Sequence, residues 1–278
     1  MARGMSVHVG LNSFDPDHYG SPGTLKACEN DARDMARIAE DQGFEPTVLL
    51  TREATTDAVT AAISSAAQSL GREDILLATY AGHGGQVEDK NGDEGDLNDE
   101  TWCLWDRQLV DDELYDLWAS FTEGVRIVVV SDSCHSGSVT RDLFAAATRA
   151  AVEKGAVEEE RTRDLPPDVQ QEVNSRHARL YEQIQEDHPD AEKQELGASV
   201  ILLSGCQDNQ LSLDGSKNGL FTEHLKQAWQ GGAFVGGYKP FRKAIGDGMP
   251  PSQSPNYFVT GRRNPSFERQ RPFTIDAA

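Results

Sequence analysis

The sequence is short of several things, and each shortage narrows what the chain can be. Its four cysteines, Cys28, Cys103, Cys134 and Cys206, are scattered with no CxxC pair, so their spacing supplies neither a disulfide framework nor a close pair of zinc ligands. No apolar run approaches the ~20 residues that cross a bilayer. The opening MARGMSVHVGLN lacks the apolar stretch and cleavage site of a secretory leader. Soluble, reduced, cytoplasmic protein is the expectation. Positive charge is scarce: 26 Lys and Arg face 46 Asp and Glu, for a net charge of -20 and a pI near 4.6. That balance repels nucleic acid and anionic membrane surfaces, and makes cations and basic substrates the natural partners.

What is present is a pattern of alternation. With 278 residues, 37% of them hydrophobic, the chain can bury one large α/β core. Strand-like SVHVGL, TVLL, ILLATY and RIVVVS alternate with helix-like NDARDMARIAEDQ, TTDAVTAAISSAAQSL and DDELYDLWASF. Such alternation predicts a mostly parallel central sheet with helices on both faces. The runs 75–80 and 127–130 are too short for helices, β-rich, and end in Gly- or Ser-rich turns, as buried parallel strands do. From Asp142 to Gly197 the texture shifts to Ala, Glu, Arg and Gln, read as a charged helical insertion or linker with two helical stretches flanking the Pro166–Pro167 break. The expected organisation is therefore 1–141, 142–197 and 198–278, the last part adding the strand SVILLSG and the helix FTEHLKQAW before a Pro-, Gly- and Arg-rich tail.

Chemistry concentrates at two strand ends. IVVVSDSCHSGS places Cys134 after a strand among small residues, and ILLATYAGHGGQ places His83 after another strand between glycines. Open α/β sheets carry their sites at the carboxyl ends of strands. A free thiol is only about 3% thiolate at pH 7, so a neighbouring imidazole is the economical activator. Zinc fits poorly, since adjacent Cys134 and His135 cannot easily hold one ion and no second ligand pair is near.

YAGHGGQ and SDSCHSGS resemble the two catalytic signatures of metacaspases, and KACENDARDM, VDDELYDL and SGCQDNQLSLDG are similar at matching order. The resemblance implies a caspase-like three-layer α/β sandwich and an endopeptidase cleaving after Arg or Lys, with Cys134 as nucleophile and His83 as base. It implies an oxyanion hole from the N–H groups of Gly84 and Cys134, and a monomer acting on protein or peptide substrates. It places the acids of a pocket for a basic side chain at Asp31 and Asp132, with Cys28 on the wall; Ala81 stands where many relatives have Ser. Paired carboxylates suit a guanidinium and exclude an acidic side chain.

For Ca²⁺ the resemblance offers Asp99, Asp111, Asp112 and, with a one-residue shift, Asp142. The acidic run EDKNGDEGDLNDE of 88–100 only partly matches an EF-hand loop, with Glu94 where Gly is needed. Asp111 and Asp112 also read as a helix N-terminus, Asp31 as an acid in a helix's first turn, and Asp132 as a turn-former. Seven basic residues after the nucleophile, Arg141, Arg149, Lys154, Arg161, Arg163, Arg176 and Arg179, are candidate points of self-cleavage. Two other readings stay open: a calcium-responsive binding module of the same fold without turnover, and a Cys-His hydrolase of the same clan with other specificity.

Overall fold

The structure, a computed structural model, describes residues 1–90, 98–133, 161–189, 191–206, 212–251 and 253–276. Its centre is a six-stranded sheet in the order β11-β9-β7-β3-β1-β2. The strands are β1 (Gly4–Gly10), β2 (Glu45–Leu50), β3 (Ile75–Ala81), β7 (Arg126–Asp132), β9 (Ser199–Ser204) and β11 (Asn256–Gly261). All neighbours are parallel except β11, which runs antiparallel to β9 at the edge.

Because strand side chains alternate between faces, the continuous apolar runs divide between two cores. Leu76, Ala78, Tyr80, Ile127, Val129 and Val200 join one cluster. It includes Val59, Ile63 and Ala66 of α3 (Thr56–Ser69) and Leu114, Leu117 and Trp118 of α4 (Asp111–Ala119). Ile75, Leu77, Val128, Val130, Ile201 and Leu203 join the other. There they meet α2 (Cys28–Asp41), α7 (Leu220–Trp229), α8 (Tyr238–Gly248) and α9 (Pro265–Arg269). Every residue of β3 and β7 is buried, which is why their sequences read as unbroken apolar runs rather than alternating ones. The result is the expected three-layer α/β sandwich.

A small antiparallel sheet stands beside the main one: β4 (Gly84–Glu88), β5 (Asn98–Cys103) and β6 (Gln108–Val110). Against it lies a third apolar cluster, in which Phe14, Val87, Cys103 and Val110 receive Leu165, Val173, Tyr181 and Ile184. Phe14 immediately precedes the short helix α1 (Pro16–Tyr19), and Val173, Tyr181 and Ile184 belong to α5 (Pro167–Arg176) and α6 (Ala178–Asp187). The sequence predicts one helix on either side of Pro166–Pro167, yet both described helices follow it. Pro167 stands in the first turn of α5, where a missing N–H costs nothing and the fixed φ is already helical. Two residues of a further antiparallel pair, β8 (Arg161–Thr162) against β10 (Leu213–Asp214), lie next to this cluster.

Candidate active site

Strand order does the first part of the positioning. β3 and β7 are parallel neighbours ending level, Ala81 opposite Asp132. His83 is two residues past β3. Cys134 is two residues past β7 and, like Asp142, lies outside the described residues.

The loop carrying His83 is held by its backbone. The Tyr80 hydroxyl donates to the His83 carbonyl at 2.6 Å and lies 3.1 Å from that of Cys103. The Cys103 N–H donates to the His83 carbonyl at 3.0 Å. The imidazole is buried, with Nε2 at 3.0 Å from the Gly23 carbonyl and Nδ1 at 3.0 Å from the Asp164 carbonyl. A neutral ring has one N–H and donates to one of these; an imidazolium donates to both. Burial pushes the pKa of His83 below the usual imidazole value, opposed by the Gly23 and Asp164 carbonyls and the Asp164 and Asp214 carboxylates. The ring is thus a neutral base whose protonated form finds a waiting acceptor.

Asp31 and Asp132, predicted as pocket acids, are brought together, and a third carboxylate joins them. Between them lies the Arg163 side chain, fully buried. Its Nη2 donates to Asp31 Oδ2 at 2.6 Å and Asp214 Oδ1 at 3.0 Å, and its Nη1 to Asp132 Oδ2 at 2.9 Å and the Asp132 carbonyl at 3.2 Å. Each acid is fixed from behind. Asp31, in the first turn of α2, accepts from Asn218 Nδ2 at 2.8 Å and from the Gly219 N–H. Asp132 accepts from the Ser212 hydroxyl at 2.7 Å and the Thr222 hydroxyl at 2.8 Å. Asp214 accepts from the Lys26 N–H at 2.7 Å and the Ala27 N–H at 3.3 Å.

Three carboxylates around one guanidinium leave an excess of negative charge in a dry site. Burial pushes Asp31 up to about 6, against the pull of Arg163 and with the repulsion of Asp132 adding to the rise. The Arg163 pKa is driven well above its ordinary value by the same acids, despite its own burial. Cys28 and Ala81, expected on the pocket wall, form with Leu25 a small buried apolar cluster. Burial pushes the thiols of Cys28 and Cys103 up, so neither suits the role of a nucleophile.

The Arg163 backbone is held as closely as its side chain. Gly84 N–H, one of the two expected oxyanion donors, donates to the Arg163 carbonyl at 2.9 Å. Arg163 N–H donates to the Ser212 carbonyl at 3.0 Å, and Leu165 N–H to the Gly84 carbonyl at 2.7 Å. The segment 161–165 is therefore tied by its backbone to β10 at Arg161 and Thr162 and to the start of β4 at Asp164, main-chain pairing of the kind that strand-recognising sites make with peptides.

Asp214, Gly219, Ser212 and the Gly23 carbonyl carry no role in the sequence reading. For Asp214 a signal existed, a carboxylate inside SGCQDNQLSLDG; for the others only folding reveals the role. Gly219 matters because a Cβ there would stand 2.5 Å from Arg163 Nη2.

Of the expected calcium aspartates, Asp99, Asp111 and Asp112 lie among the described residues. Asp111 Oδ2 accepts from the Glu100 N–H at 3.1 Å, which sets the start of α4 against β5, and Asp99 and Asp112 are both buried. Among the described residues no group of three or more His, Cys, Asp or Glu is arranged to hold a metal ion; Asp142 and residues 91–97 lie outside them. Asp111 also serves the helix terminus, accepting from the Asp112 N–H at 3.0 Å, while Glu113 accepts from the Val110 N–H at 3.1 Å.

A parallel sheet with helices on both faces, a histidine after one central strand and a carboxylate pocket beside it define a caspase-like α/β architecture. A family model described as Peptidase_C14, Caspase domain, matches residues 3–245, and the chain belongs to that family of cysteine-type peptidases. Metacaspase-1 of Schizosaccharomyces pombe is 27% identical over 262 residues, covering 80% of this chain and 58% of that protein. Metacaspase-1 of Ajellomyces capsulatus is 28% identical over 247 residues, covering 80% and 68%. The crystal structure of protein GSU0716 from Geobacter sulfurreducens superposes with a TM-score of 0.89 at 45% identity, covering 98% of this chain and 99% of that one. The chain spans 58% of the length of the S. pombe and Kluyveromyces lactis metacaspases. No helix among the described residues is long and apolar enough to cross a membrane.

Proposed function

We propose that the protein is a cysteine endopeptidase that hydrolyses peptide bonds after Arg or Lys through Cys134, His83 and an acyl-enzyme. One observation carries the specificity: a guanidinium lies in a closed pocket on three carboxylates while its own backbone carbonyl rests on Gly84 N–H. An acidic side chain in the same place would meet three like charges in a low-dielectric site.

In this reading His83 takes the Cys134 proton and later delivers it to the leaving amine. The Gly23 carbonyl holds the ring by accepting from Nε2, which leaves Nδ1 turned toward the peptide. Gly84 N–H stabilises the oxyanion, a contribution of about 3–4 kcal/mol for one such donor. Water then releases the acyl group.

Calcium activation and self-processing belong to the same proposal. Asp99, Asp111 and Asp112, with Asp142, supply the hard oxygen donors Ca²⁺ prefers, and its binding would relieve the repulsion among them. Self-processing between 142 and 197 follows from placing basic residues within reach of a site selective for them. We place the enzyme in the cytoplasm as a monomer acting on proteins.

The test is hydrolysis of matched peptides carrying Arg, Lys, Ala or Asp before the scissile bond, each with calcium and with chelator. Cleavage after Arg and Lys alone, lost in Cys134→Ala and reduced by chelator, is the expected result. Equal rates across the four peptides would remove the specificity, and equal rates with chelator the calcium step.

A further inference from the structure

We propose that the Arg163–Asp164 bond is the bond the chain cuts in itself, and that until it is cut Arg163 keeps the basic pocket closed to other substrates. This rests on the peptidase reading above and adds the bond, the geometry and the consequence.

Three features single out that bond. The Arg163 guanidinium fills the pocket, bonded to Asp31, Asp132 and Asp214, with no exposed surface. Its carbonyl, the one that would be attacked, already accepts from Gly84 N–H. His83 Nδ1, at 3.0 Å from the next carbonyl, that of Asp164, lies on the side of the departing amine. A structural arginine needs the first of these; a residue before a scissile bond needs all three together.

The other described basic residues of the region are differently placed. Arg176 and Arg179 lie in α5 and α6, and a helical backbone cannot lie along Gly84 and Ser212 as a strand does. Arg161 pairs through its backbone with Asp214, two residues before the position on the Gly84 N–H. Residues 141, 149 and 154 lie outside the described residues.

The chemistry balances with water as the only co-reactant. Cys134 sulfur bonds to the Arg163 carbonyl carbon as the C–N bond to Asp164 breaks, and the proton taken from the thiol by His83 passes to the Asp164 nitrogen. Water hydrolyses the thioester, leaving a carboxylate at Arg163, a free amine at Asp164 and the thiol restored.

Before that event the tethered Arg163 competes with any incoming side chain at an effective concentration of order millimolar. Afterwards Leu165 remains seated in the cluster with Phe14, Val87 and Tyr181, while the strand ending at Arg163 is no longer anchored through it and can leave.

The experiment follows the full-length chain in calcium by intact mass and N-terminal sequencing, alongside hydrolysis of an Arg peptide. Wild type is expected to yield a new N-terminus at Asp164 and a fragment ending at Arg163, with peptide hydrolysis rising in step after a lag. Cys134→Ala is expected to stay whole. Asp164→Pro keeps Arg163 in the pocket but blocks the cut, and is expected to stay at least about tenfold below processed wild type, as a tethered competitor dictates. Removing Arg163 leaves three buried acids without a cation and endangers folding, so Arg163→Lys, expected to fold and be cut, is the companion variant. Full peptide hydrolysis by uncut wild type, or a first cut elsewhere, overturns the proposal while leaving the peptidase reading intact. Absence of hydrolysis of Arg peptides by every form, including chain already cut at Arg163, overturns both.

Discussion

The proposed selectivity for a basic side chain would be decided atom by atom. Asp31, Asp132 and Asp214 supply charge, but Gly219 supplies room: its N–H donates to Asp31 and a Cβ in its place would stand 2.5 Å from the guanidinium. Gly219→Ala is therefore expected to lower kcat/KM for Arg peptides much more than for Lys peptides, whose single ammonium is narrower than the planar fork. Steady-state kinetics on the matched pair reads this, and equal losses would show that Gly219 acts only on the fold. Arg163 Nε is buried without a hydrogen-bond partner among the described residues, and Ala81 stands opposite Asp132, one of the acids that hold this guanidinium. A hydroxyl at that position, as the metacaspase pattern has, would offer an acceptor on the pocket wall. Ala81→Ser is accordingly expected to lower KM for Arg peptides by up to about tenfold, the worth of one hydrogen bond to a charged group; an unchanged or higher KM counts against it. At this scale the sequence was partly legible. Asp31 and Asp132 could be named because their motifs carry them, whereas Gly219 and the Gly23 carbonyl act through space, where residue type carries no signal.

At the scale of elements, the site depends on β3 and β7 being neighbours of equal length. Their apolar runs, both faces buried, announce central parallel strands, and the motifs after them announce the site. Less legible were β11 and α8 in the Pro- and Gly-rich tail, and the β4–β5–β6 sheet, whose half-polar three- to six-residue strands are short against the pattern that reveals a strand. The segment 161–165 was harder still. Its charged sequence suggests a solvated linker, and only tertiary partners, three carboxylates for Arg163 and an apolar cluster for Leu165, draw residues 163–165 into the interior. The loop between β3 and β4 offers a test. Tyr80, stacked on Trp102 at 4.6 Å, fixes the His83 carbonyl with its hydroxyl. Tyr80→Phe leaves two buried carbonyls short of that donor and is expected to cost roughly 1–3 kcal/mol in chemical denaturation. Because the same bond orients the loop carrying His83, the proposed base, kcat should fall while KM for Arg peptides changes little; an unaltered kcat would limit Tyr80 to a structural role.

For the whole molecule, the acid side of the stability curve is set by what is buried neutral. His8 on β1 is fully buried, its Nδ1 2.9 Å from the Thr79 hydroxyl, and burial lowers its pKa to about 3. The unfolded chain binds a proton there below about 6.5 while the folded chain does not until about 3, so stability falls as pH drops through that window. Between pH 7 and pH 5 the single site is worth about 2 kcal/mol. Asp31, raised to about 6, works in the opposite direction, taking up its proton earlier in the fold. Urea denaturation of wild type and His8→Gln at pH 7 and pH 5 isolates the term: the variant is expected to lose about 2 kcal/mol less than wild type over that interval. Equal losses would mean that His8 is not buried neutral.

Three buried carboxylates beside His83 are proposed to select a basic side chain for hydrolysis by Cys134. The most direct measurement is the ratio of kcat/KM for an Arg peptide to that for the same peptide with Asp, taken on the processed chain, with Asp31→Asn and Cys134→Ala beside it. Turnover of the Arg peptide alone is expected, with a fall of about a hundredfold or more on removing one buried charge partner and no turnover without the thiol. Comparable rates on the two peptides, or a rate indifferent to Asp31, would contradict that selection.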